Sequence, residues 1–313
     1  MKPMRLVGAM LLCAAAASAA DCDRACLKNT MTAYLNALAA KDPSKAPLAP
    51  NVRFTEDSKD LKLGEGFWKT ATKVGDYRQD FIDVKEQQVA THVVMEAGPA
   101  TVLFTARLKV ADNKITEIET LVSQRNNGLG NFIIRPDIGI EPPANQKNSR
   151  EQILRAADYY PKGLTIGSFD RADAPFAKDA FRIENGSVMA GAGCGRGGPG
   201  MANNGKAPAA PAAGKGPSAT SPQDVAGCLD IKTQRIIEHP DLTKSVVLVD
   251  EEQGTALLWM NFGDTGSYGP GNALVVFEAF KVYGNQMHVV QAFMKVLPKD
   301  TKRGWGKTLR GTE

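Results

Sequence analysis

The sequence predicts an α+β protein built from two tandem copies of one unit. Each copy runs helices first and then a curved antiparallel sheet, and the second carries a Gly/Ala/Pro-rich insertion. Three observations carry this expectation. Residues Asp42–Asp57 align without a gap with Asp170–Asn185, at an offset of 128, and Asp42/Asp170, Ala46/Ala174, Pro47/Pro175, Ala49/Ala177 and Glu56/Glu184 are identical. Residues Arg107–Glu119 align without a gap with Ala279–Gln291, now at an offset of 172, and both read as strand, turn, strand. The growth in offset requires extra residues between the blocks of the second copy. Residues 190–222 supply them: they are dominated by Gly, Ala, Pro, Ser and Lys. Such a composition buries too little apolar surface to offset the entropy of ordering, so it predicts a flexible loop.

The chain opens with Lys2 and Arg5, an apolar run over residues 6–17, and the small residues Ser18-Ala19-Ala20. That order predicts a secretory signal peptide over 1–20, because the run is too short to span a bilayer. Leu12 before Cys13 argues against a lipid anchor. The mature protein is expected in a periplasm or secreted, with no membrane span. Removing Lys2 and Arg5 from the formal charge of +4 leaves +2, which gives no reason to expect nucleic acid. Four cysteines remain, and an oxidising compartment predicts two local disulfides, Cys22–Cys26 and Cys194–Cys228.

Unit one is expected over 21–126. Ala25, Leu27, Met31, Tyr34, Leu35 and Leu38 recur at helical spacing and predict a helix over 23–40. Strands follow at 52–55, 77–84, 88–96, 100–110 and 114–124, broken by Pro99 and the hairpin dipeptide Asp112-Asn113. A linker spans 127–148. Unit two runs over 149–300 and restarts at Ser149, whose spacing to Gln152 is a capping box. Its strands are expected at 179–184, 244–250, 254–262, 271–283 and 286–297. A basic tail over 301–313 is read as solvated.

Several of these blocks resemble the NTF2-like superfamily: Asp-Pro, Ala-Pro-Leu-Ala, Val-Arg-Phe-Thr-Glu, Leu-Gly-Glu-Gly-Phe-Trp, and the strand–Asp-Asn-Lys–strand hairpin. The likeness is to its SnoaL-like branch and to a secreted, DUF8021-like family. The resemblance implies two tandem cones packed as an internal pseudo-dimer, each a bent sheet wrapped on helices with a pocket at its open end. It also implies acid–base chemistry in an apolar pocket: a cofactor-independent isomerase, lyase or hydrolase acting on a small molecule, without a metal. The same superfold also hosts ligand-binding and partner-docking modules, so the fold leaves that alternative standing.

Such chemistry needs a carboxylate or His whose pKa burial has moved. His288 lies in the otherwise apolar stretch Met287–Met294 and is the first candidate for a base. Glu56 and Glu184 recur at one repeat position, either as turn acceptors or as pocket acids. Arg182, read as the shifted counterpart of Arg53, would hold an anionic group. His92 is the copy-one candidate, whereas His239, before Pro240, reads as a solvated loop residue. Phe67, Trp68, Trp259 and Tyr283 read as core, and Asp250-Glu251-Glu252 as a solvated turn. Gly193, Gly195 and Gly198 spell a dinucleotide fingerprint but follow no clear strand, so no nucleotide site is expected. No Gly-x-Ser-x-Gly, His-Glu-x-x-His or P-loop pattern occurs.

Overall fold

The computed structural model describes residues 21–125, 132, 136–191, 194, 230–234 and 236–312. Most of the 190–222 insertion, with Gly193, Gly195 and Gly198, lies outside the described residues, as do residues 1–20. Helix α1 (Arg24–Ala39) is capped by the Asp23 carboxylate, which accepts from Cys26 N at 2.8 Å. The Cys22–Cys26 disulfide closes the turn in front of it, as expected. Cys194 is disulfide-bonded as well, and its expected partner, Cys228, lies outside the described residues. Helix α2 (Arg150–Thr165) begins with the Ser149/Gln152 capping box.

Unit one contains β1 (Leu48–Glu56), β2 (Lys59–Asp60), β3 (Lys73–Asp83), β4 (Gln88–Ala97), β5 (Ala100–Ala111) and β6 (Lys114–Arg125). Unit two contains β7 (Phe176–Glu184), β8 (Ser187–Ala190), β9 (Thr243–Asp250), β10 (Thr255–Asn261), β11 (Asn272–Tyr283) and β12 (Gln286–Pro298), with β13 (Leu309–Arg310) after it. The sheet orders are β2-β1-β6-β5-β4-β3 and β8-β7-β12-β11-β10-β9-β13. Six strands therefore correspond one for one. The register keeps the sequence offsets: Phe54 lies opposite Ile118 as Arg182 lies opposite Val290, and Ala106 opposite Thr120 as Glu278 opposite Ala292.

The sheets are mixed rather than antiparallel. β1 runs parallel to β6, and β7 parallel to β12. After its first strand the chain crosses to the far edge and meanders back. The last strand then arrives beside the first in the same direction.

Alternation along the strands gives each sheet two apolar faces. One packs on the unit's own helix: Leu27, Met31 and Leu38 meet Phe104 and Ile118 in unit one, and Ile153, Tyr160 and Leu164 meet Val276, Phe280 and Val290 in unit two. The other faces meet each other, with Phe81, Ala90 and Leu121 against Trp259, Phe277 and Val289. Two reciprocal ion pairs lock this interface. Arg24 forks onto Asp250 at 2.9 Å through both Nη atoms, and Arg150 onto Asp83 at 3.1 and 2.7 Å. Each aspartate also accepts a backbone N–H across the interface, from Ile82 and Val249 respectively. Asp250 is thus buried and paired, not part of a solvated turn.

The tail likewise departs from the solvated reading. Arg303 is buried and donates from Nε and Nη2 to the two Glu119 oxygens, both at 2.8 Å. Trp305 donates from Nε1 to Thr55 Oγ1 at 2.9 Å and lies under the Arg53 and Arg107 guanidinium groups. An indole and a neutralised guanidinium gain more against unit one than in water, so the basic composition misleads.

Candidate functional site

Residues two apart on a strand share a face, so register alone builds a polar cluster inside unit two. Arg182 and Glu184 on β7 and Glu278 on β11 all point toward α2. Glu278 and Glu184 flank Ala292 in one cross-strand row. Helix α2 contributes Tyr160, whose ring stacks on Phe169 at 4.8 Å and tilts against Phe280 at 5.0 Å. Arg182 donates from Nη1 to the Tyr160 hydroxyl at 3.4 Å, and its Nε lies 3.2 Å from Glu184 Oε1.

Glu278 is the unusual member. It is fully buried among Leu258, Val276 and Phe280, and neither carboxyl oxygen makes a well-aligned hydrogen bond. Burial first, and then the Glu184 charge, push its pKa up to about 8. The nearby Arg182 charge and Tyr160 hydroxyl pull the other way without cancelling that. At neutral pH most molecules carry it protonated. Arg182 is buried too, which opposes its charge, but Tyr160, Glu184 and Glu278 together hold its pKa above the ordinary value. Tyr268, on the 262–271 loop, is pushed up to about 12 by burial and by Glu184.

His239 is buried rather than solvated. Its Nδ1 lies 3.2 Å from the Phe262 carbonyl, and burial lowers its pKa to about 4. Neutral at working pH, it packs beside the cluster and adds no charge.

The cluster takes up two of the five residues singled out by sequence, Glu184 and Arg182. His288 lies elsewhere: its ring stacks on Tyr283 at 3.4 Å by the β11–β12 turn, with Nε2 3.2 Å from the Tyr283 carbonyl and Nδ1 3.7 Å from Asp179. A register shift at Lys281/Val282 sends Met287 inward, so His288 faces away from the unit-two interior. His92 lies between the two sheets. It stacks on Phe293 at 4.4 Å and meets Gln291 Nε2 at 3.1 Å, and burial lowers its pKa to about 3. Glu56 lies inside unit one, where Oε2 accepts from Phe67 N at 2.8 Å and burial raises its pKa to about 7.

The two units differ where it matters. Tyr34 and Tyr160 occupy the same position in their helices, and Glu56 matches Glu184. Phe54, not Arg53, stands where unit two has Arg182, and Ala106 stands where it has Glu278. Unit one keeps the tyrosine and one carboxylate and fills the rest with apolar side chains. Sequence reasoning passed over Glu278 and Tyr160. The signal for Glu278 is a lone carboxylate in phase with Leu274, Val276, Phe280 and Val282, the inward set of β11.

A family model described as a domain of unknown function (DUF8021) matches residues 20–122 and 146–294, well over half of the chain and once in each unit. The chain belongs to the DUF8021 family. No curated protein matches it. Among solved structures, similarity extends to an NTF2-like protein of unknown function from Cytophaga hutchinsonii (12% identity, 31% of this chain and 89% of that one, TM-score 0.23). It extends also to a putative ketosteroid isomerase from Kribbella flavida (16%, 42% and 90%, TM-score 0.25) and to a LEH-like epoxide hydrolase of M. tuberculosis (19%, 31% and 82%, TM-score 0.24). At these scores the likenesses carry no argument about this DUF8021 chain, whose fold rests on its own topology and register. No helix among its described residues is long and apolar enough to cross a membrane.

Proposed function

We propose that this DUF8021 protein is an exported, cofactor-independent enzyme that performs acid–base chemistry on a small, largely apolar organic molecule. In this reading each unit is an NTF2-like cone, residues 1–20 are a cleaved leader, and unit two carries the reaction while unit one is its scaffold. The observation that carries the reading is Glu278: a fully buried carboxyl without a well-aligned hydrogen bond, on the same inner face as Arg182 and Tyr160. Buried groups with shifted pKa values and nearby charge partners are what proton transfer near neutral pH requires.

The chemistry follows from the residue types. Ionised Glu278 takes a proton from a carbon acid, and neutral Glu278 returns it to another position of the same molecule or to a leaving oxygen. Arg182 and the Tyr160 hydroxyl donate to the oxygen on which negative charge grows. Glu184, 3.2 Å from Arg182 Nε, balances the Arg182 charge. Isomerisation and elimination share these steps; in hydrolysis ionised Glu278 instead takes its proton from a water whose oxygen bonds to the substrate carbon as the C–O bond breaks, and then returns that proton to the leaving oxygen.

The test begins with the chain from Asp21 exported to an oxidising compartment and weighed by native mass spectrometry, which identifies a co-purifying molecule. Turnover of that molecule is then compared in wild type and Glu278→Gln. The expected result is a loss of kcat of about 100-fold or more with binding retained. Wild-type turnover in Glu278→Gln sinks the reading. Binding without turnover in the wild type replaces it with a ligand-binding module, the other reading that this superfold allows.

A further inference from the structure

The two units meet along β6 and β12, and a cavity of about 480 Å³ opens at the C-terminal ends of these strands. Its walls are paired by the repeat. Val122, Ser123 and Gln124 of unit one stand where unit two has Met294, Lys295 and Val296, at the same offset of 172. The cavity therefore lies on the pseudo-twofold that relates the units. Among the described residues, Leu274 and Asn185 add to the lining from unit two alone, so it leans to that side.

The same residues lead inward. Leu274, Val276 and Glu278 alternate onto one face of β11, and Met294 and Ala292 onto the matching face of β12. Met294 belongs to the apolar interior of unit two and also lines the cavity. At the rise of a β-strand, the cavity wall at Leu274 stands roughly 13 Å from Glu278 along the strand, and Met294 about half that. Asn185 fixes the rim: its Oδ1 accepts from Met294 N at 2.9 Å and its Nδ2 donates to the Met294 carbonyl at 3.2 Å. Behind it, the Phe132 ring occupies the space that a Cβ on Gly186 would fill, and Gly186 itself has a φ of +81°. The turn thus admits no side chain at that position.

The geometry points to a binding site on the pseudo-twofold for the apolar body of an uncharged organic ligand, continuous with the interior of unit two. The volume falls within the range of clefts that hold ligands of drug-like size, and this cleft is wide open to solvent at its mouth, where Val296 is exposed. Valine, leucine and methionine supply the apolar wall. Ser123 and Gln124 supply neutral hydrogen-bonding groups, and the Lys295 ammonium is already engaged by Asp57. The ligand's destination at Glu278 rests on the acid–base reading; its seat between the units does not. Unit one becomes part of the site rather than a bystander, because half of the paired wall is its own.

N-phenyl-1-naphthylamine, a neutral fluorophore that brightens in apolar surroundings, probes this directly with the whole mature chain. Wild type is expected to bind one equivalent. Gln124→Trp, on the exposed rim, and Ser123→Phe are each expected to weaken binding at least tenfold with unchanged circular dichroism and thermal midpoint. Glu278→Gln is expected to bind the probe as wild type does. Absence of saturable binding overturns the proposal, as does full binding in both folded rim variants. Probe binding that follows this pattern while Glu278→Gln keeps its turnover leaves the cavity site standing and removes the acid–base reading instead.

Discussion

Replacing Glu278 by glutamine keeps the shape of the side chain and removes its proton equilibrium, so it isolates one consequence of burial. The carboxyl titrates near 8 in the folded protein, against 4.5 for the ordinary group. Between these values the folded state holds a proton that the unfolded chain has released. Folding stability from this group is therefore largest below pH 4.5 and falls as pH rises toward 8, by about 1.4 kcal/mol per unit. Other buried groups obscure part of that window. Glu56, at about 7, adds a loss of the same sign. His92 and His239, at about 3 and 4, act oppositely: below 6.5 the unfolded chain takes up protons that the folded protein refuses. From pH 4.5 to 6.5 the two losses are opposed by the gains from His92 and His239 and by a further gain from His288, whose pKa burial also lowers, so this window does not isolate Glu278. Above pH 7 the rest of the Glu56 titration is a small loss, and buried Lys281, whose pKa burial lowers to about 8, gives a gain of similar size, so these two offset each other and Glu278 sets the net change. Integrating to its own midpoint gives a loss of about 1 kcal/mol between pH 7 and pH 8. Urea unfolding at the two pH values, followed by circular dichroism and tryptophan fluorescence together, reads this difference. Wild type should show the loss, and Glu278→Gln should show almost none. An equal loss in both would mean that Glu278 is ionised in the folded state at neutral pH, and the argument from its burial would fail.

Two structural contacts give further tests. Arg303→Ala removes one of two guanidinium partners from buried Glu119 and should cost about 3 kcal/mol in urea unfolding, whereas a solvated tail would cost almost nothing. Arg150→Ala leaves the buried Asp83 carboxylate with only backbone N–H partners, from Val249 and Glu86, and should destabilise by a similar amount. Its pseudo-symmetric mate Arg24→Ala should match it, and a negligible effect in either would show that the reciprocal pairs do not hold the units together.

Much of the architecture is legible along the chain because it depends on local periodicity and on repetition. The helix over 24–39, the capping box at Ser149 and the longer strands of both units follow from spacing that any neighbour-blind reading can detect, whereas the short strands β2, β8 and β13 carry no such signal. Repetition adds a check that single elements lack: offsets of 128 and 172, seen first as letters, reappear as strand register. Parallel pairing of first and last strands was not legible, because direction depends on where the chain crosses, and composition does not encode that. The tail was misread for a related reason. Lys and Arg report solvent only when no carboxylate and no apolar wall await them, and Glu119, Thr55 and Arg53 lie about 185 to 250 residues away in sequence.

The candidate site divides in the same way. By itself the sequence determined that Glu184 and Glu56 are equivalent and that Arg182 stands two residues before Glu184, since those are facts of order along one strand. Only the tertiary structure decided which polar side chains share an interior. A one-residue register shift turns His288 outward, while strand pairing carries Glu278 to within one row of Glu184 from more than ninety residues away. Burial is a property of what covers a residue, and for Glu278 the cover is α2, β10 and β12 together. That cover raises a common carboxyl into the range where it can both give and take a proton.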